Sequence, residues 1–237
     1  MFTQEITIKS YDVDHNDNVR ISSLMKYFQQ IARENLDSFG MTYSFLRQHN
    51  IVFVLTKYTI KLHGNIHSDD KVILNTAPCE IRGVSFIRDF TVTAPDGSLL
   101  VEASSAWVII DFEKRSILRP NRLPMEIPTC DRLVDFIPDR TNVLEDFEFT
   151  YCSKVPYSRL DANNHLNNCN YVDLIMDGLY EHLDNVPEIK EITMQFDHEA
   201  VLRDELSLNY SINDNVIGVK CDNTTSGNVC FCAEISM

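Results

Sequence analysis

The order of apolar patterns most restricts what this 237-residue chain can fold into. A strand-like run, a helical run and a series of strand-like runs occur, and then the same order occurs again. The first round opens with alternation from Glu5 to Asp12. Ile21, Leu24, Met25, Phe28, Ile31, Ala32, Leu36 and Phe39 then recur at helical spacing, and Gly40 marks the helix end. "IVFVLTKYTIKL", "KVILNTAPCEI", "VSFIRDFTVTA" and "LLVEASSAWVIIDF" read as strands, with a "PDG" hairpin turn at Pro95 to Gly97. Pro120, Pro124, Pro128 and Pro138 interrupt the next stretch, as in an inter-domain connection. The second round opens with "FEFTYCSKVPYS". Val172, Leu174, Ile175, Gly178, Leu179 and Leu183 mark its helix, and "EITMQFDHEAV", "ELSLNYSI", "VIGVKCD" and "VCFCAEIS" come after it as strands. One strand, one long helix and several antiparallel strands make an α+β unit whose sheet wraps its helix. The pattern predicts two such units, residues 1–125 and 146–237, joined by a connecting segment over 126–145.

The stretches ahead of the two helices reinforce the duplication. "DVDHNDNVRISSL" (Asp12 to Leu24) lies over "RLDANNHLNNCNY" (Arg159 to Tyr171). Asp14 then falls on Asp161, Asn16 on Asn163 and Val19 on Leu166, while Asn18 stands where the second copy has His165. Further on, "YTIKLHGNIHSDDKVIL" lies over "ITMQFDHEAVLRDELSL", aligning Asp70 with Asp204 and Asn65 with Glu199. The two alignments need different offsets, so the halves differ by an insertion or deletion.

In the second copy Asp161, Asn163 and His165 alternate just ahead of a helix. An extended approach projects alternate side chains to one side. A helix N-terminus adds free N–H groups and a positive dipole end, which suits the oxyanion of acyl chemistry. A histidine whose ordinary pKa lies near neutrality is suited to general-base work, and an asparagine can orient water or donate to an oxyanion. The same residue types also make helix caps. Two features weigh against a cap alone: five asparagines crowd into Asp161 to Tyr171, and the first copy keeps the Asp and Asn but not the His.

"YSRLDANNHLNNCNYVDLIMDGL" resembles the signature of acyl-acyl carrier protein thioesterases, roughly D-x-N-x-H-x-N-N-x-x-Y at the start of the second hotdog helix. "MQFDHEAVLRDEL" resembles the family segment L-E-Y-R-R-E-C-x-x-D, and "YDVDHNDNVRISSLMKYFQQIAREN" and "SSAWVIIDFEKRSILRPNRLP" are similar to the family's first half. The resemblance covers nearly the whole chain. It implies a tandem (double) hotdog of α+β class, with two antiparallel sheets each wrapped around a long central helix. The N-terminal hotdog would be the acyl-pocket half and the C-terminal one the catalytic half. It further implies that Asp161, Asn163, His165 and Glu199 are catalytic, with Asp161 either orienting the set or attacking directly. The next family position, a cysteine once assigned as nucleophile, is Ala200 here. Cys169 reads as a small hydrophobe in a helix start, so hydrolysis by water is expected. The implied reaction releases free fatty acid from acyl-acyl carrier protein and ends fatty acid synthesis. Acyl-CoA hydrolysis, or acyl binding without catalysis, are the alternatives.

The remaining expectations come from composition. The net charge of −14 argues against a nucleic-acid partner. No apolar run approaches a membrane span, and "MFTQEITIKSYDVD" has no targeting pattern, so a cytoplasmic location is expected. Seven cysteines without a C-x-x-C argue for reduced thiols rather than disulfides or zinc. His63 and His67 flank Gly64 and Asn65, unlike a helical metal pair, and Asp12 to Asn18 lack the Gly and Glu of a calcium loop. Neither metal nor organic cofactor is expected. The resemblance implies acylated carrier protein as the partner and a monomer or weak homodimer, with the locally basic "EKRSILRPNR" (Lys114, Arg115, Arg119, Arg122) as a docking candidate.

Overall fold

The computed structural model describes residues 1–141 and 146–237. The chain divides into two compact units, Met1–Pro138 and Asp139–Met237.

The N-terminal unit contains β1 (Phe2–Thr7), α1 (Ile21–Ser38), α2 (Tyr43–Gln48), β2 (Ile51–Leu62), β3 (Lys71–Arg82), β4 (Ser85–Thr93) and β5 (Leu99–Asp111). Its antiparallel strands run in the order β1-β3-β4-β5-β2. The helical spacing in the sequence becomes the buried face of α1: Ile21, Leu24, Met25, Phe28, Ile31 and Ala32. Phe28 packs its ring 4.9 Å from Phe90 on β4 and 6.4 Å from Tyr58 on β2, so the helix lies on the sheet. Gly40 comes just after α1 with φ +80, a conformation that costs a glycine nothing.

Two differences from the sequence pattern stand out. The first strand stops at Thr7 rather than Asp12, because β3 offers no partner beyond Lys71 and Asp12 N–H closes a turn onto the Lys9 carbonyl at 2.8 Å. The short α2 has no counterpart in the apolar pattern; Thr42 caps it by accepting from Phe45 N–H at 3.1 Å. The proline-rich stretch runs across the sheet face opposite α1. Cys130, Leu133 and Ile137 pack on Ala77, Cys79, Ile87 and Ala106. Arg132 donates from Nε to Asp89 Oδ2 at 2.6 Å and from Nη2 to Oδ1 at 3.0 Å, and the Asp89 side chain is wholly buried.

The C-terminal unit contains β6 (Phe149–Lys154), α3 (Asn168–His182), β7 (Glu191–Phe196), β8 (Glu205–Asn213), β9 (Val216–Asn223) and β10 (Asn228–Ser236). Its antiparallel strand order is β7-β10-β9-β8-β6. Strand β6 ends before Pro156, and the expected strand over residues 191–201 ends at Phe196, where the chain turns toward the site. Tyr171 of α3 stacks on Phe231 of β10 at 5.1 Å. At Gly178 the helix packs tightly on the sheet: an added Cβ would collide with Tyr210 Oη and lie 2.8 Å from Tyr151 Cβ. Tyr210 cannot easily yield, since it is fully buried, stacks on Phe149 and donates to the Ile175 carbonyl at 3.0 Å. Gly178→Ala gains about 1 kcal/mol of helix propensity but meets an overpacking cost of about 1–3 kcal/mol or more. A net loss of up to about 2 kcal/mol is expected in urea unfolding, partly relieved in a Tyr210→Phe background.

Candidate active site

The polar stretch ahead of α3 is shaped by Asp161. Its Oδ1 accepts from Asn163 N–H at 2.8 Å and from His165 N–H at 3.1 Å. Its own N–H donates to the His165 carbonyl at 2.8 Å, and Asn164 takes φ +62 at the turn, which asparagine tolerates well. Asp161, Asn163 and His165 are half-buried while Ala162 and Asn164 are exposed, as expected for side chains alternating between two sides. Asn163 Nδ2 lies 3.5 Å from Asp161 Oδ2.

The loop after β7 comes alongside. His165 pairs with Val201 as an isolated antiparallel bridge, and Leu166 N–H donates to the Ala200 carbonyl at 2.8 Å. This brings Glu199 against the histidine, with His165 Nδ1 2.9 Å from Glu199 Oε2. The loop is held by Asp204, which aligns with Asp70 in the sequence but carries no motif that would assign it a role. Buried Asp204 Oδ2 accepts from Val201 N–H at 2.9 Å and from Asn223 Nδ2 at 2.7 Å. The one signal for it is its retention in both halves.

Other asparagines have local duties. Asn167 caps α3 by accepting from Cys169 N–H at 3.0 Å, and Asn170 donates to the Arg159 carbonyl at 2.9 Å. Within the stretch the later asparagines cap and brace α3, while His165 pairs with Glu199. Cys169 is buried, and Ala200 is wholly buried with its carbonyl engaged. Burial pushes the Cys221 and Cys230 thiols up and the Cys232 thiol up to about 11, so these three are not poised as thiolates. Burial likewise raises the Tyr171 phenol far above its ordinary range and keeps it neutral.

The N-terminal unit repeats the centre of this scaffold. Asp14 Oδ1 accepts from Asn16 N–H at 2.9 Å and Asn18 N–H at 3.0 Å, and Asp17 takes φ +60. Val19 N–H donates to the Ile66 carbonyl at 2.8 Å, and Asp70 Oδ2 accepts from His67 N–H at 2.8 Å. The Asp-centred loop is therefore common to both halves. What distinguishes the second is His165 with Glu199 where the first has Asn18 with Asn65.

Two α+β units, each with one long helix on an antiparallel sheet, define a tandem hotdog protein. Solved structures with this fold include an acyl-ACP thioesterase from Bacteroides thetaiotaomicron (TM-score 0.82, 21% identity, covering 99% of this chain and 96% of that one). A 12:0-ACP thioesterase from Umbellularia californica superposes with a TM-score of 0.84 at 15% identity, covering 99% and 96%. The acyl-ACP thioesterase N-terminal domain model matches residues 1–127 and the acyl-ACP thioesterase C-terminal domain model matches residues 144–233. The chain belongs to the acyl-ACP thioesterase family.

Curated relatives include a chloroplastic acyl-acyl-carrier-protein hydrolase of Cuphea viscosissima, 22% identical over 219 residues. Another is a chloroplastic palmitoyl-acyl carrier protein thioesterase of Arabidopsis thaliana, 23% identical over 216 residues. Each alignment covers 84% of this chain and 52% of the relative, so the chain spans about half the length of these relatives. No helix among the described residues is long and apolar enough to cross a membrane.

Proposed function

We propose that this chain hydrolyses the thioester of fatty acyl-acyl carrier protein, releasing free fatty acid and holo-carrier. The observation that carries this reading is the 2.9 Å contact between His165 Nδ1 and Glu199 Oε2, ahead of the capped N-terminus of α3. Glu199 holds the imidazole through Nδ1, which assigns proton traffic with water to Nε2. Water attacks the thioester carbon as its proton passes to His165. The oxyanion lies toward the α3 N-terminus and the Asn163 amide, both donors of the kind that stabilise developing negative charge. The C–S bond then breaks, and the proton held by His165 goes to the leaving thiolate. Asp161 orients the loop that carries Asn163 and His165. Product formation from acyl-carrier thioesters of several chain lengths, beside matched acyl-CoA esters, tests the reading. Turnover that prefers the carrier is expected. A preference for CoA moves the substrate class, and no turnover of either overturns the proposal in favour of acyl binding alone.

Carrier docking falls to the exposed basic residues Lys114, Arg115, Arg119 and Arg122 around exposed Ile117. On a chain of net charge −14 this local cationic patch is what an acidic carrier would find. KM for the carrier substrate is expected to rise with salt, and the rise to vanish in an Arg115→Glu/Arg119→Glu variant. A salt-independent KM in the wild type removes this patch from consideration.

A further inference from the structure

Strand β4 places two charged residues side by side, one on each face of the sheet. Asp89 turns outward and is neutralised by Arg132, whose Nε and Nη2 grip its two oxygens. Arg88 turns inward beneath α1 and has no such partner. It is buried at 6% exposure, yet its hydrogen bonds are both from Nη1 and both to neutral acceptors, Asn35 Oδ1 at 3.0 Å and Thr76 Oγ1 at 3.1 Å. Its Nε–Nη2 edge has no hydrogen-bond partner, and the guanidinium no ion pair, among the described residues. Burial pushes its pKa down only to about 10, so it stays protonated at neutral pH. A buried cation with an idle donor fork is expensive to keep, and that fork matches a carboxylate in two-point contact.

We propose that the Nε–Nη2 edge of Arg88 is a carboxylate-binding site inside the N-terminal unit. The carboxylate has two possible sources: a free fatty acid, or an acyl chain ending in a carboxyl group. The fatty character of the probe rests on the acyl-substrate reading above, while the need for a carboxylate rests on Arg88 alone. Binding is therefore scored without turnover.

Trp107 is a native reporter, being the one tryptophan of the chain. Its indole donates to Ser105 Oγ at 2.8 Å, and Ser105 Oγ donates to the Arg88 carbonyl at 3.2 Å. The full chain would be titrated with laurate and with dodecan-1-ol, following Trp107 fluorescence in wild type, His165→Ala, Arg88→Gln and Arg88→Lys. Saturable laurate binding at least about tenfold tighter than dodecanol is expected in wild type and His165→Ala, as two-point charged contacts are the strong ones. The preference should disappear in Arg88→Gln and persist in part in Arg88→Lys. Equal affinity for acid and alcohol in the wild type overturns the proposal, even where Arg88→Gln does not fold. A preference that survives in folded Arg88→Gln also overturns it. Carrier thioesters of dodecanoate and of its ω-carboxy analogue separate the two sources. A lower KM for the ω-carboxy thioester, lost in Arg88→Gln, assigns the site to the chain end. Equal KM values, with laurate slowing turnover, assign it to the free acid.

Discussion

His165→Ala is expected to lower kcat for thioester hydrolysis by about 10³-fold, the middle of the range for losing a general base. That is about 4 kcal/mol of barrier. Two features make the loss catalytic rather than structural. The backbone of residue 165 makes the bridge to Val201 and donates to Asp161, and alanine keeps both. The corresponding loop of the N-terminal unit also holds its shape with Asn18 in that position. Melting temperature and KM should therefore stay close to wild type while kcat falls. Steady-state kinetics beside thermal unfolding checks this. A variant that keeps wild-type kcat would remove His165 from the mechanism, and one that loses fold and activity together would show that the ring is structural.

Asp161→Asn is expected to cost about 10²-fold or more in kcat with the fold intact. Asparagine retains an Oδ1 that can accept the Asn163 and His165 N–H groups, so the turn survives, whereas the negative charge beside the reacting set is lost. Asp14→Asn is the matched control. Asp14 makes the same two bonds in a loop without the histidine, so that substitution should leave kcat unchanged. Wild-type turnover in both variants would reduce Asp161 to the turn-forming duty that Asp14 performs. Loss in Asp161→Asn alone would separate charge from architecture.

The parts of the molecule visible in sequence are those with a period. The apolar face of α1 and the long strands β2 to β5 and β8 to β10 repeat every 3.6 or every two residues, and their bounds lie within a few residues of the patterns. Helix α2 is invisible in sequence because six residues show too little period, and its clearest mark is one capping threonine. Strand β1 reads too long because alternation says nothing of where a partner strand begins. The site is legible to the extent that it is a local motif: Asp161, Asn163 and His165 lie within five residues. Glu199 reaches His165 across a loop, and only the family resemblance points to it. Asp204 and Asn223, which shape that loop, have no local signature. Nor does the motif show that Asp161 spends an oxygen on its own loop.

The grip of Arg132 on Asp89 bears on the chain as it is synthesised. The two residues are 43 positions apart, so the five strands of the N-terminal unit are all complete before the cation that neutralises Asp89 exists. Until then the sheet must leave that carboxylate in water or bear an uncompensated charge worth about 3–5 kcal/mol. The outer face of the sheet is therefore expected to close last. A released chain truncated before residue 132 should remain open to protease there, and one truncated shortly after residue 138 should not.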